Sequence, residues 1–203
     1  MRLFDGGRVP NARRVRIFLA EKGIDVPKVP VDLGKMDHRT PEFAARNPLQ
    51  RVPVLELDDG SHLTESVAIC RYFEELHPDP PLFGRDARER AFVDMWQRRV
   101  ELELYLAVQA AFRHTHPGMA GHEVPQIPAW GEANRPRALA MMALLDRELA
   151  SKAFVVGEQF TIADISLMVT LDFLKPAKIT MPEDLSNLRR WHGEVSGRPS
   201  AAA

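Results

Sequence analysis

"NPLQRVPVLELDDGSHLTESVAICRYFEEL", residues 47–76, holds two short apolar runs joined at Asp59-Gly60 and then a stretch of helical periodicity. Asp-Gly between alternating apolar residues is a strong hairpin signal, so "VPVLELDDGSHL" reads as two antiparallel strands. From Glu65 to Leu76 the apolar spacing becomes helical, and "HPDPPLFG" closes that helix. Upstream, Arg2–Asp5 forms a short strand. Val15, Ile17, Phe18, Leu19 and Ile24 then stripe a helix that ends at Gly23. "VPKVPVDL" alternates as a strand that Pro27 and Pro30 confine to a sheet edge. "TPEF" opens a further helix, with Thr40 as N-cap and Pro41 in the first helical position. The order is β-α-β-α-β-β-α. Strands separated by a helix pair in parallel through a right-handed crossover, so a mixed four-stranded sheet with three helices is expected.

After residue 85 nearly everything reads as helix, and this change of texture divides the chain. Residues 1–77 form the α/β domain, 78–85 a linker containing Pro78 to Pro81, and 86–203 an all-α helical bundle domain. Phe92, Trp96, Val100, Leu104, Val108 and Ala111 stripe a long helix that ends near Pro117-Gly118. "GHEVPQIP" is a loop, and a second long helix runs to about Ser151, with Pro136 expected to kink or restart it. Thr161 and Asp164 have capping-box spacing, with Phe160 and Ile165 placed as a hydrophobic staple. Leu185, Leu188, Trp191 and Val195 mark the final helix.

Of the 203 residues 45 % are hydrophobic and 27 % charged, the balance of a soluble globular protein with room for a core. A net charge of -1 supplies no general field for nucleic acid or an anionic membrane, so neither is expected as a partner. No apolar run spans a bilayer, and Met1–Asp5 lacks the core of a signal peptide, which points to the cytoplasm. Cys70 is the only cysteine, which excludes an internal disulfide and a Cys-x-x-Cys pair. Its place beside Ile69, three residues before Phe73, suits core packing, with a reactive thiol as the alternative.

A Val-Pro bond entering a strand is a place where a cis peptide is tolerated, since cis costs an X-Pro bond only about 0.5 to 1 kcal/mol. In cis, Pro53 turns the Val52 backbone outward, where its N–H and C=O can pair with an extended peptide. The Glu65-Ser66 helix start offers N–H groups and a hydroxyl for a carboxylate, with Glu65 for an ammonium. Together these suit the α-amino-acid end of a small peptide, and Arg51 suits a second carboxylate. Each piece also has a plain reading: Pro53 as a trans strand start, and Glu65 or Ser66 as a helix cap.

Taken together, "NPLQRVPVL", "LTESVAICRYF", "PNARRVRIFLAEKGI", "DHRTPEFAARNP" and "GEQFTIADI" make the whole chain resemble a soluble glutathione S-transferase. The resemblance implies a thioredoxin-like N-terminal domain that binds glutathione as co-substrate, an α-helical C-terminal domain shaping the second-substrate pocket, a homodimer, and a role in detoxification without a metal. Val52 then pairs with the cysteinyl backbone beside Pro53, Glu65 and Ser66 hold the γ-glutamyl end, and Arg51 and His38 face the glycine carboxylate. Members of the family activate the thiol with a Tyr, Ser or Cys near the first helix, where this chain has Val9. Some bacterial members carry a similar Pro-Asn. The Asn11 amide and the Ala12 backbone N–H are the donors available to stabilise a thiolate, in the manner of an oxyanion hole. Asn is equally a good N-cap, so catalysis and capping both stand. Arg13 and Arg14 lie on neighbouring helix faces, one of them expected in solvent.

Arg99, Tyr105 and Phe112 on the long helix are expected at the second-substrate pocket, whereas Trp96 reads as packing. His114, His116 and His122 fit no standard zinc spacing and read as the close of a helix end. The leading function is conjugation of glutathione to small, fairly apolar electrophiles. The alternatives are glutathione-dependent disulfide reduction or dehalogenation, and a non-catalytic binding or regulatory protein.

Overall fold

The computed structural model describes residues 1–203 and divides into two compact units. Met1–Leu82 with Pro199–Ala203 make the first, and Phe83–Arg198 the second.

The first unit runs β1 (Arg2–Asp5), α1 (Pro10–Lys22), β2 (Lys28–Pro30), a 3-10 turn (Asp37–Arg39), α2 (Pro41–Arg46), β3 (Val54–Glu56), β4 (His62–Leu63) and α3 (Ser66–Leu76). The sheet order is β2-β1-β3-β4, with β1 and β2 parallel and the remaining pairs antiparallel. β2, which ends in Pro30, lies at an edge, where a missing ladder donor is harmless. Phe4, Val31, Phe43 and Val54 form an apolar cluster against which Val52 also packs. Thr40 caps α2 by accepting the Phe43 N–H at 3.2 Å. The last turn of α1 is tied to the end of α3 by Lys22, whose side chain is wholly buried. Its Nζ lies 2.6 Å from Glu74 and donates to the carbonyls of His77 at 2.7 Å and Pro80 at 2.5 Å.

Residues 199–203, expected with the helical domain, instead pack on α1. Arg13 donates to the Ala201 carbonyl at 2.9 Å, and the Ser200 hydroxyl donates to Glu21.

The second unit holds α4 (Ala87–Arg99), a π-helical stretch (Val100–Tyr105), α5 (Leu106–Thr115), α6 (Pro128–Leu149), α7 (Ile162–Asp172) and α8 (Ser186–Ser196). The long helix is thus continuous but changes hydrogen-bond pattern midway, and such a bulge shifts which residues face inward. Phe92, expected inside, is 42 % exposed. α6 continues through Pro136 without the predicted restart. Two residues before that proline, Asn134 donates its side-chain amide to the Trp130 carbonyl at 2.8 Å. α7 is buried from Ile162 to Leu171, and the polar side chains it buries are bonded, Ser166 donating to Gln97 and Thr170 to the Ser166 carbonyl, both at 2.6 Å.

Candidate functional site

The site begins at the turn between β1 and α1. Arg16 clamps that turn, its Nη1 lying 2.7 Å from the Asp5 carboxylate and 2.8 Å from the Gly7 carbonyl. Gly6 is required by close approach: a Cβ there would lie 2.4 Å from Val52 Cγ2. The turn and the start of β3 are therefore in direct contact, although 46 residues separate them in sequence.

α1 then starts with Val9 as N-cap, no side chain capping it, and Pro10 in the first turn. The first helical bond runs from Arg13 N–H to Val9 C=O at 3.0 Å. Asn11 is therefore not the cap, since it sits one residue inside the helix with its side chain turned elsewhere. Its Oδ1 accepts from Arg14 Nη1 at 3.0 Å, and the same nitrogen donates to Ser66 Oγ at 2.7 Å. Asn11 is half-buried, whereas Ala12 has no exposed surface, so of the two expected donors the Asn11 amide is the open one. Arg14 is wholly buried and Arg13 half-buried, so neither is the solvated arginine the helical pattern suggests.

At the other side of the site the Val52-Pro53 peptide is cis. Pro53 is buried and Val52 half-buried, and the Val52 N–H and C=O form no hydrogen bond within the chain. The Arg51 carbonyl is held by Asn47 Nδ2 at 2.8 Å, while its side chain extends into solvent without a partner. Glu65, exposed, occupies φ 64° and ψ 113°, a region that costs a non-glycine residue about 1–3 kcal/mol. α3 starts immediately after it, with Ser66 5 % exposed. His38 is buried on the 3-10 turn.

Asn11, Arg14 and Ser66 thus form one hydrogen-bonded group, and Gly6 seats the turn before α1 against the cis step. Sequence reasoning missed Gly6, explained only by the distant Val52, and Arg14, whose bond to its near neighbour Asn11 gains meaning only through the distant Ser66. A hollow of about 550 Å³ bounded by Asp5, Asp32 and Asp37 contains none of the predicted contacts. Its carboxylates serve turns instead, Asp32 accepting from Gly34 and Lys35, and Asp37 from Asp32 N–H.

The second-unit candidates have internal partners. The Arg99 guanidinium stacks 4.8 Å from the Trp96 ring centre, Tyr105 is buried with its hydroxyl 3.2 Å from Gln109, and Phe112 packs edge-on to Phe173. His114 and His116 each turn Nδ1 to a backbone N–H, of Ile127 and Gly118 respectively, both at 3.1 Å. These imidazoles close the loop after α5. Cys70 is wholly buried, and burial pushes its thiol well above the usual thiol range, so it is inert packing.

By its fold the chain is a thioredoxin-like sheet unit followed by an all-helical unit. The family models "Glutathione S-transferase, N-terminal domain" and "Glutathione S-transferase, C-terminal domain" match residues 10–76 and 128–194. Glutathione S-transferase 2 of Saccharomyces cerevisiae is 38 % identical over 203 aligned residues, which cover 98 % of this chain and 87 % of the relative. The crystal structure of Gtt2 from the same yeast superposes with TM-score 0.95 over 100 % of this chain and 99 % of that one, at 38 % identity. A glutathione S-transferase domain-containing protein from Marinobacter aquaeolei VT8 gives TM-score 0.95 at 41 % identity, over 98 % and 99 %. The chain belongs to the glutathione S-transferase family and is an enzyme of the transferase class.

Proposed function

We propose that the chain joins the sulfur of glutathione to small, fairly apolar electrophiles. The observation that carries this reading is the Val52 backbone, unpaired at a cis-Pro step that touches the α1 turn. In this reading Val52 pairs with the cysteinyl unit, and Glu65 and Ser66 hold the γ-glutamyl ammonium and carboxylate. Arg51 and His38 answer the glycine carboxylate. The sulfur then falls to the start of α1, where Asn11 Nδ2 has no partner within the chain and the helix N-terminus favours an anion. A cysteine thiol ionises near pH 8.5, so at neutral pH only a few per cent is thiolate, and one good donor increases that fraction. The thiolate attacks the electrophilic carbon, a C–S bond forms, and the leaving group departs with the bond's electron pair. Arg99, Tyr105 and Phe112 are offered as second-substrate residues. A homodimer acting in the cytoplasm completes the reading, after the habit of the family.

Calorimetry with glutathione tests the binding half, and Ser66→Ala is expected to weaken it about tenfold, the loss of one charge-assisted bond. An aryl-halide assay tests the chemistry, with Asn11→Ala expected to lower the rate. Equal near-background rates for both chains would leave a binding protein. A disulfide-exchange assay reads the reductase alternative.

A further inference from the structure

α1 buries an arginine among Val15, Ile17 and Phe18, and Arg14 has 0 % exposure. Burying a guanidinium is costly unless its donors are placed, so their destination shows what the burial achieves. Nη1 donates to Asn11 Oδ1 at 3.0 Å and to Ser66 Oγ at 2.7 Å. Arginine offers only donors. The Asn11 atom facing it must therefore be the oxygen, which settles the amide orientation by chemistry and turns the N–H₂ the other way. Ser66, already an acceptor toward Arg14, keeps its own proton for another partner.

Resting on the function proposed above, we infer that Arg14 is a positioning residue. Through one nitrogen it orients the donor for the glutathione sulfur and the donor for the γ-glutamyl carboxylate. An unheld Asn amide has two flips, and in the wrong one its oxygen faces the thiolate and opposes ionisation. Arg14 removes that flip before the ligand arrives, and such preorganisation is what makes a donor effective toward developing charge.

The test is the pKa of the bound glutathione thiol, read from the ultraviolet absorbance of the thiolate across pH. Wild type, Asn11→Ala, Arg14→Met and the double variant are compared. Each single variant is expected to raise that pKa by about one, a tenfold loss of thiolate near neutrality. The double variant is expected to match the singles, because Arg14 acts through Asn11. Additive shifts would mean that the buried charge acts directly, and would overturn the inference; so would an Arg14→Met protein with an unmoved thiol.

Should Arg14→Met fail to fold by circular dichroism, Asn11→Asp carries the test. It is isosteric, keeps an oxygen toward Arg14 and places a second oxygen where Nδ2 stood. Its bound thiol should titrate above that of Asn11→Ala, and a wild-type value would overturn the inference. Calorimetry separates the two levels. A wild-type chain that does not bind glutathione removes the functional reading, whereas binding with a thiol indifferent to these variants removes only the role of Arg14.

Discussion

At residue scale, the sharpest constraint on the site is an absent side chain. Gly6 is needed because Val52 Cγ2 occupies the space of its Cβ, at 2.4 Å, and valine cannot withdraw a branched methyl without moving its backbone. Gly6→Ala is therefore expected to displace the Val52 edge, at a cost of about 1–3 kcal/mol in overpacking. Glutathione affinity by calorimetry should fall at least tenfold with the circular dichroism spectrum unchanged. Unaltered affinity would show that the contact relaxes without consequence. The cis Val52-Pro53 step and the start of α3 at Ser66 were legible in sequence, since a Val-Pro bond entering a strand and the onset of helical spacing are local signals. Gly6 and Arg14 were not, because Val52 lies 46 residues from Gly6, and Ser66, which Arg14 links to its near neighbour Asn11, lies 52 residues away. Asn11 was half legible: its type allowed either a cap or a donor, and the place of Val9 at the N-cap of α1 removes the cap.

At element scale, the clearest case is the start of α7. The Thr161–Asp164 box stands as the spacing predicts, but Asp164 does more than cap. Its carboxylate accepts from Thr161 N–H at 2.9 Å, Thr161 Oγ at 3.0 Å, Val155 N–H at 2.8 Å and Trp191 Nε1 at 3.1 Å. The cap was readable because its partners sit three residues apart. The Val155 and Trp191 bonds were not, since they arise from tertiary packing. Burial raises the carboxyl to about 6, against the pull of these four donors. The ordinary value is 3.8, so between that pH and about 6 the folded chain holds a proton that the unfolded chain has released. This contribution is fully present below about pH 4 and is lost as pH rises through about 6. Thr161 Oγ can accept the acid proton by reversing its role. Asp164→Asn does not titrate, so the wild-type advantage over it in urea unfolding should shrink by up to about 3 kcal/mol from pH 4 to pH 7. A gap constant with pH would contradict the raised carboxyl.

At the scale of the whole molecule, the change from mixed to helical periodicity across residues 78–85 was visible in the sequence, and the compact units divide after Leu82. The return of residues 199–203 to the first unit was not, because Pro-Ser-Ala-Ala-Ala carries no periodic signal and its partners are on α1. That segment bonds Glu21 and Arg13, residues of the same helix that presents Asn11 and Arg14. Stability in a domain varies locally, and the amides of a helix exchange according to what holds that helix down. Ser200, 7 % exposed, gives one part-buried hydrogen bond to Glu21, and removing it cuts one tie between the last residues and α1. Ser200→Ala is expected to cost about 1 kcal/mol, a roughly fivefold rise in amide exchange through the last two turns of α1. α7, in the other unit, should exchange at its wild-type rate. If α1 and α7 accelerate together, the substitution weakens global folding, and the last residues do not hold α1 in particular.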